Sequence, residues 1–171
     1  MPLPSRAQTF AFEDCRELLN KLEREIDRYQ EVAGRDEKEP EALLKLVDQL
    51  KDSAFNAAVT AWQLCDWVFN DMTPEQHQKL GFSGLGDLQK YVRENCRALY
   101  LCRHTATASK HWEVDKHPDP DVGVVVWHNG TGWIIDFVDK GREQPAYVVF
   151  ELALAFWTGF IRDHGIAKST G

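Results

Sequence analysis

Apolar residues recur at steps of three and four along the first half of the chain, which is the period of an amphipathic helix. A second stripe begins after Pro40, and a neighbouring apolar row follows the same helix through Phe55, Val59, Trp62 and Phe69. The two rows predict a long central helix with neighbours on more than one side. The first stripe runs through Phe12, Cys15, Leu19, Leu22, Ile26 and Tyr29.

After residue 121 the pattern changes to runs of β-branched and aromatic residues. Two such runs, 122–128 and 133–138, flank an Asn129-Gly130 turn and predict a β-hairpin. The apolar stretch Ala146–Ile161 predicts a buried last helix. The predicted fold is therefore mainly α, a helical bundle of five or six helices with a β-hairpin (about 122–138) before the last helix.

A length of 171 residues suits one domain, and we expect a single helical domain over 1–171 with a flexible tail at 1–9. The longest apolar run contains Glu151 and is too short to span a bilayer comfortably, so no membrane partner is expected. The chain begins without an apolar leader, and none of its four cysteines forms a Cys-x-x-Cys pair. Buried, reduced thiols and a cytoplasmic location are the expectation.

The net charge of −7 argues against a strongly basic nucleic-acid-binding surface. The charge is uneven, however, because the segment 85–117 carries six Lys and Arg against four acids, together with three histidines. An anion-binding site is therefore expected in that segment.

Arg97 and His104 lie seven residues apart in that segment and so share one face of a helix, two turns apart. Arginine binds phosphate through a fixed fork of donors, and histidine exchanges a proton near neutral pH. Within an acidic helical bundle, the run Arg97-Ala-Leu-Tyr-Leu-Cys-Arg-His104 resembles the Arg-x4–6-His motif of HEPN-type proteins. The resemblance implies a metal-independent ribonuclease of toxin or antiviral systems that acts as a homodimer, with Arg97 and His104 as its catalytic residues. The polar residue that often follows the arginine is Ala98 here.

Further polar residues are candidates for binding. Asn56 and Asp66 belong to a polar row on the long helix, and this row could meet Arg103, His104 or His111. Asp66 could then orient a histidine, whereas the plainer interpretation is a hydrogen-bonded network or a solvent-exposed face. Lys110 and His111 extend the polar side of the Arg97 helix.

No metal site and no cofactor are predicted. Histidines and acids are crowded between His104 and Asp121, but the His-x3-His spacing of a helical zinc site and the glycine of a calcium loop are absent. Several tryptophans cluster late in the chain, where core packing and a partner interface are both open interpretations. These are Trp112, Trp127, Trp133 and Trp157.

Two functions follow from these observations. The first is a protein-interaction or regulatory module that binds another protein or a second copy of itself. The alternative is the HEPN-like ribonuclease of a defence system, with RNA as its partner. The acidic net charge favours the first function, and the basic 85–117 segment favours the second.

Overall fold

The computed structural model describes residues 10–108 and 119–166. Within these ranges the chain is mainly helical, as predicted, and a small antiparallel sheet precedes the last helix. The helices are α1 (Cys15–Val32), α2 (Pro40–Asp71), α3 (Pro74–Leu80), α4 (Leu85–Asn95), α5 (Arg97–Ala108) and α6 (Ala146–Asp163).

The sheet has three strands in the order β1-β2-β3: β1 (Val122–His128), β2 (Trp133–Asp139) and β3 (Arg142–Pro145). β1 and β2 form the predicted hairpin, with Val122 opposite Asp139 and His128 opposite Trp133. β3 was not predicted, because its sequence Arg-Glu-Gln-Pro has no alternation of apolar residues. The sheet is therefore one strand wider than the predicted hairpin.

α2 lies at the centre of the bundle, as the two apolar rows predicted. α1, α4, α5, α6 and β2 all contact it. Its buried face is lined with small residues, including Ala54, Ala57, Ala58 and Ala61, so neighbouring helices can approach its backbone closely. The indole Nε1 of Trp157 on α6 donates a hydrogen bond of 2.9 Å to the carbonyl oxygen of Ala61.

Local signals account for where several helices begin and end. Asp14 caps α1 through its side chain, and Thr73 with Gln76 forms a capping box at the start of α3. α4 and α5 are separate helices because Cys96 adopts an extended conformation (φ −138°, ψ 100°). This break makes Arg97 the first residue of α5 and places its side chain beside the end of β2.

Candidate functional site

Arg97 forms the centre of a charged cluster where α5 meets the sheet. Its Nε donates a hydrogen bond of 2.8 Å to Oδ2 of Asp139, and its Nη2 donates to Oδ1 of the same carboxylate. Nη2 also lies 3.6 Å from Oδ2 of Asp119, and the guanidinium stacks over the Tyr100 ring at 4.1 Å. This fork-to-fork geometry fixes both partners. Arg97 therefore ties the start of α5 to the end of β2.

The electrostatics of the cluster agree with that role. The hydrogen bonds to Asp139 raise the pKa of Arg97, and the same contact lowers the pKa of Asp139. The hydrogen bond from Tyr100 lowers the pKa of Asp119. The Arg97 side chain is 41% exposed, yet its inner donors already face two carboxylates. A phosphate that took the Nε–Nη2 fork of Arg97 would have to displace Asp139.

His104 lies two turns beyond Arg97 on α5 and is only 8% exposed. Its ring contacts that of Tyr100 at 4.9 Å, and Tyr100 donates a hydrogen bond of 2.9 Å to Oδ2 of Asp119. Nε2 of His104 is buried and has no hydrogen-bond partner among residues 10–108 and 119–166. Burial lowers the pKa of His104, and the positive charge of Arg103 lowers it further. The imidazole is therefore neutral at pH 7.

The other predicted residues do not all join this cluster. Arg103 is buried on α5, and burial lowers its pKa. Asn56 and Asp66 are exposed on α2, and the charges that act on His104 are those of Arg103, Asp119 and Arg97. Lys110 and His111 lie outside the described residues.

Tyr100, Asp119 and Asp139 were missed by the sequence analysis. Tyr100 carried a usable signal, since it lies three residues after Arg97 and four before His104, on the same helical face. Nothing local marked the two aspartates, because the contacts that bring them to Arg97 are long-range.

The sheet has one edge that the rest of the molecule covers. Ile135 on β2 donates a hydrogen bond of 3.2 Å from its backbone N–H to the Tyr29 hydroxyl. Trp133 donates to the carbonyl oxygen of Arg35 at 2.9 Å and accepts from the N–H of Gly34 at 2.8 Å. Beyond them, β3 pairs with the remainder of β2. A Cβ on Gly132 would lie 2.0 Å from the Gly34 oxygen, so this docking requires glycine.

The opposite edge of the sheet is β1. The pairing phase of β1 is the choice of which of its residues, odd or even, bond to β2. The backbone N–H of Asn129 donates to the carbonyl of Gly132, and the N–H of Lys140 donates to the carbonyl of Asp121. The odd-numbered residues of β1 therefore bond to β2. The backbone N–H and C=O groups of Val124, Val126 and His128 therefore point away from the sheet. Within the described residues no strand pairs with that side of β1.

Apolar side chains accompany this open edge. Val124 is 48% exposed and Trp127 is 40% exposed on the opposite face of the strand. Trp127 donates a hydrogen bond of 2.7 Å from Nε1 to Oδ2 of Asp136. The segment 122–135 contains no Asp, Glu, Lys or Arg, although a chain that is 27% charged would place about four there. Edge strands usually carry such charges, which prevent association.

No protein-family model, curated protein or solved structure matches this chain. None of the helices in the described ranges combines the length and apolar character that a membrane span requires. Across residues 10–108 and 119–166, no group of three or more His, Cys, Asp or Glu side chains is placed to hold a metal ion.

Proposed function

We propose that the protein is an interaction module that binds an extended polypeptide segment along the open edge of β1. The observation that carries the proposal is the outward-pointing backbone of Val124, Val126 and His128 on a strand without charged residues. Addition of a strand to such an edge gives affinity through main-chain hydrogen bonds, while side-chain contacts give specificity.

The β1 edge is favoured over the Arg97 cluster because the two differ in how many of their polar groups remain available to a ligand. The Nε and Nη2 donors of Arg97 face Asp139 and Asp119, and His104 is buried. The outward amides of β1, together with Val124 and Trp127, are available for contact. The geometry therefore favours binding over catalysis.

A labelled peptide with the sequence of residues 121–129 is the probe that tests this proposal. We expect saturable binding to the wild-type protein by fluorescence anisotropy. Val124→Lys places a charge at the edge and is expected to weaken binding by about tenfold or more. Leu152→Lys is the matched control, because Leu152 is 53% exposed on α6, outside the sheet. Absence of binding, or equal binding by both variants, would contradict the proposal.

The HEPN-like ribonuclease is a second candidate, and one observation favours it. Arg97 and His104 lie on the same face of α5 with Tyr100 between them, and no described residue hydrogen-bonds to Nε2 of His104. Such a nitrogen could accept a proton from a ribose hydroxyl once the cluster opened.

Cleavage of single-stranded RNA in the presence of a chelator tests this second candidate. If it holds, His104→Ala and Arg97→Ala each abolish cleavage, whereas Leu152→Lys cleaves as the wild type does. Wild-type protein that leaves the RNA intact, or a His104→Ala variant as active as its parent, would remove the ribonuclease from consideration.

A further inference from the structure

We infer that the segment which pairs with β1 is β1 of a second copy of this chain, so that two sheets join into one six-stranded antiparallel sheet. This inference rests on the proposed function, because it names the partner of the same edge. Four features of the sheet support it: the pairing phase of β1, its side-chain pattern, its lack of Asp, Glu, Lys and Arg, and the short polar strand β3 at the other edge.

The pairing phase selects one symmetric register. Antiparallel pairing about a twofold axis at Val126 places Val126 opposite itself and Val124 opposite His128 of the second copy. All three residues point their backbone groups outward, so this register makes six main-chain hydrogen bonds. A register centred on Val124 would need the N–H of Val122, which already donates to the carbonyl oxygen of Asp119. The Val126 register therefore uses the outward N–H and C=O groups of Val124, Val126 and His128 in both copies.

The side chains match in the same register. Trp127 of one copy lies opposite Val125 of the other, in a pair without direct hydrogen bonds, where side chains approach most closely. Pairs of an aromatic and a β-branched residue are among those that stabilise antiparallel strands. The exposed indole of Trp127 thereby gains cover that its own chain does not provide.

Charge explains why two acidic chains can meet here. Each copy carries a net charge of −7, so most surfaces of two copies would repel each other. The segment 122–135 has no charged residue apart from a histidine at position 128, so contact along it opposes no like charges. The strip without charges is thus the part of the sheet that best tolerates a second copy.

The other edge of the sheet ends the assembly at two copies. β3 is four residues long and contains Arg142, Glu143 and Pro145, which are the features that block edge-to-edge pairing. β1 pairs with itself about a twofold axis, and such isologous contacts close. The expected species is a dimer. Seven-residue strands make a small interface, so we expect dissociation in the micromolar range.

Two measurements on the full chain test the inference together. In sedimentation experiments over increasing concentration, we expect the wild type and Leu152→Lys to pass from one chain to two, and Val124→Lys to remain at one. Amide exchange of the wild type by NMR provides an internal control that needs no variant. The amides of Val124, Val126 and His128 should slow by about tenfold at high concentration, whereas those of Val125 and Trp127 are protected throughout.

Three other outcomes would overturn the inference, and they differ in what they say about the proposed function. A wild type that stays monomeric while binding the 121–129 peptide overturns self-pairing and leaves the proposed function standing. A monomer that binds no peptide overturns both. A dimer that survives Val124→Lys, with the three outward amides exchanging at their low-concentration rates, uses another surface and overturns the inference.

Discussion

The two edges of the sheet are treated in opposite ways by the rest of the chain. On one side, β2 is completed by the Tyr29 hydroxyl, by the backbone of Gly34 and Arg35, and by the short strand β3. On the other side, β1 presents three residues whose outward backbone groups pair with no strand in the described part of the chain. The covered edge anchors the sheet to the first helix and the loop after it. The open, uncharged edge of β1 is suited to association.

The largest effect is expected where the covered edge is tightest. Gly132→Ala would bring a Cβ to 2.0 Å from the backbone oxygen of Gly34, and backbone atoms cannot yield as a flexible side chain does. We expect a loss of about 3 kcal/mol in the free energy of unfolding, measured by urea denaturation. Gly159→Ala, which meets nothing within 4 Å, is the control. Equal stability of Gly132→Ala and the wild type would show that the docking is not tight.

A smaller loss is expected from removing one hydroxyl at the same edge. Tyr29→Phe leaves the buried N–H of Ile135 without its acceptor while keeping the aromatic ring in the core. An unpaired buried donor costs about 2 kcal/mol. The difference would appear in urea denaturation against Tyr147→Phe, a change at an exposed tyrosine. If both variants unfold at the same urea concentration, the hydroxyl does not anchor β2.

The hydrogen bonds between Arg97 and Asp139 anchor the end of β2 to α5. Their contribution to the free energy of unfolding is expected to be smaller. Arg97→Ala removes the paired hydrogen bonds to Asp139, and we expect a loss of about 1 kcal/mol because the arginine is partly exposed. A double-mutant cycle with Asp139→Asn, followed by thermal unfolding, measures the coupling. Additive effects of the two changes would indicate that the contact contributes nothing to anchoring.

The smallest effect is a dependence of stability on pH. Burial lowers the pKa of His104 below its ordinary value of 6.5, so the unfolded chain takes up the proton first as the pH falls. The stabilisation from the neutral histidine is complete above pH 6.5 and is lost as the pH falls from there towards the folded pKa. His104→Phe, which keeps an aromatic ring and cannot be protonated, should lose less stability between pH 7.5 and pH 5.5. Parallel pH profiles would contradict this assignment.

Sequence reasoning reached the elements of the fold because their signals are local. The period of three and four residues predicted α2, and the Asn129-Gly130 turn between β-branched runs predicted β1 and β2. β3 was missed because its three polar residues and one proline become a strand only by pairing with β2. Tertiary context supplies what the sequence pattern there lacks.

The candidate site was less predictable for the same reason. The spacing of Arg97 and His104 correctly placed them on one helical face, but it gave no indication of Asp139, which lies 42 residues from Arg97 in sequence. The spacing also could not tell that the arginine would be paired and the histidine buried. The sequence predicted β1 only as one strand of a hairpin. Which of its residues point their backbone groups outward depends on the hydrogen bonds observed in the structure.

The hydrogen bonds between Tyr29 and Ile135 join positions 106 residues apart. During synthesis, the first helix must therefore wait for most of the chain before its hydroxyl meets the strand that it anchors. When β1 and β2 have been made, β3 and α6 are still to follow, and a pair of strands without further cover is marginal in water. The nascent chain consequently presents its least charged stretch before β3 and α6 cover it, and this interval is when nascent copies are most prone to aggregate.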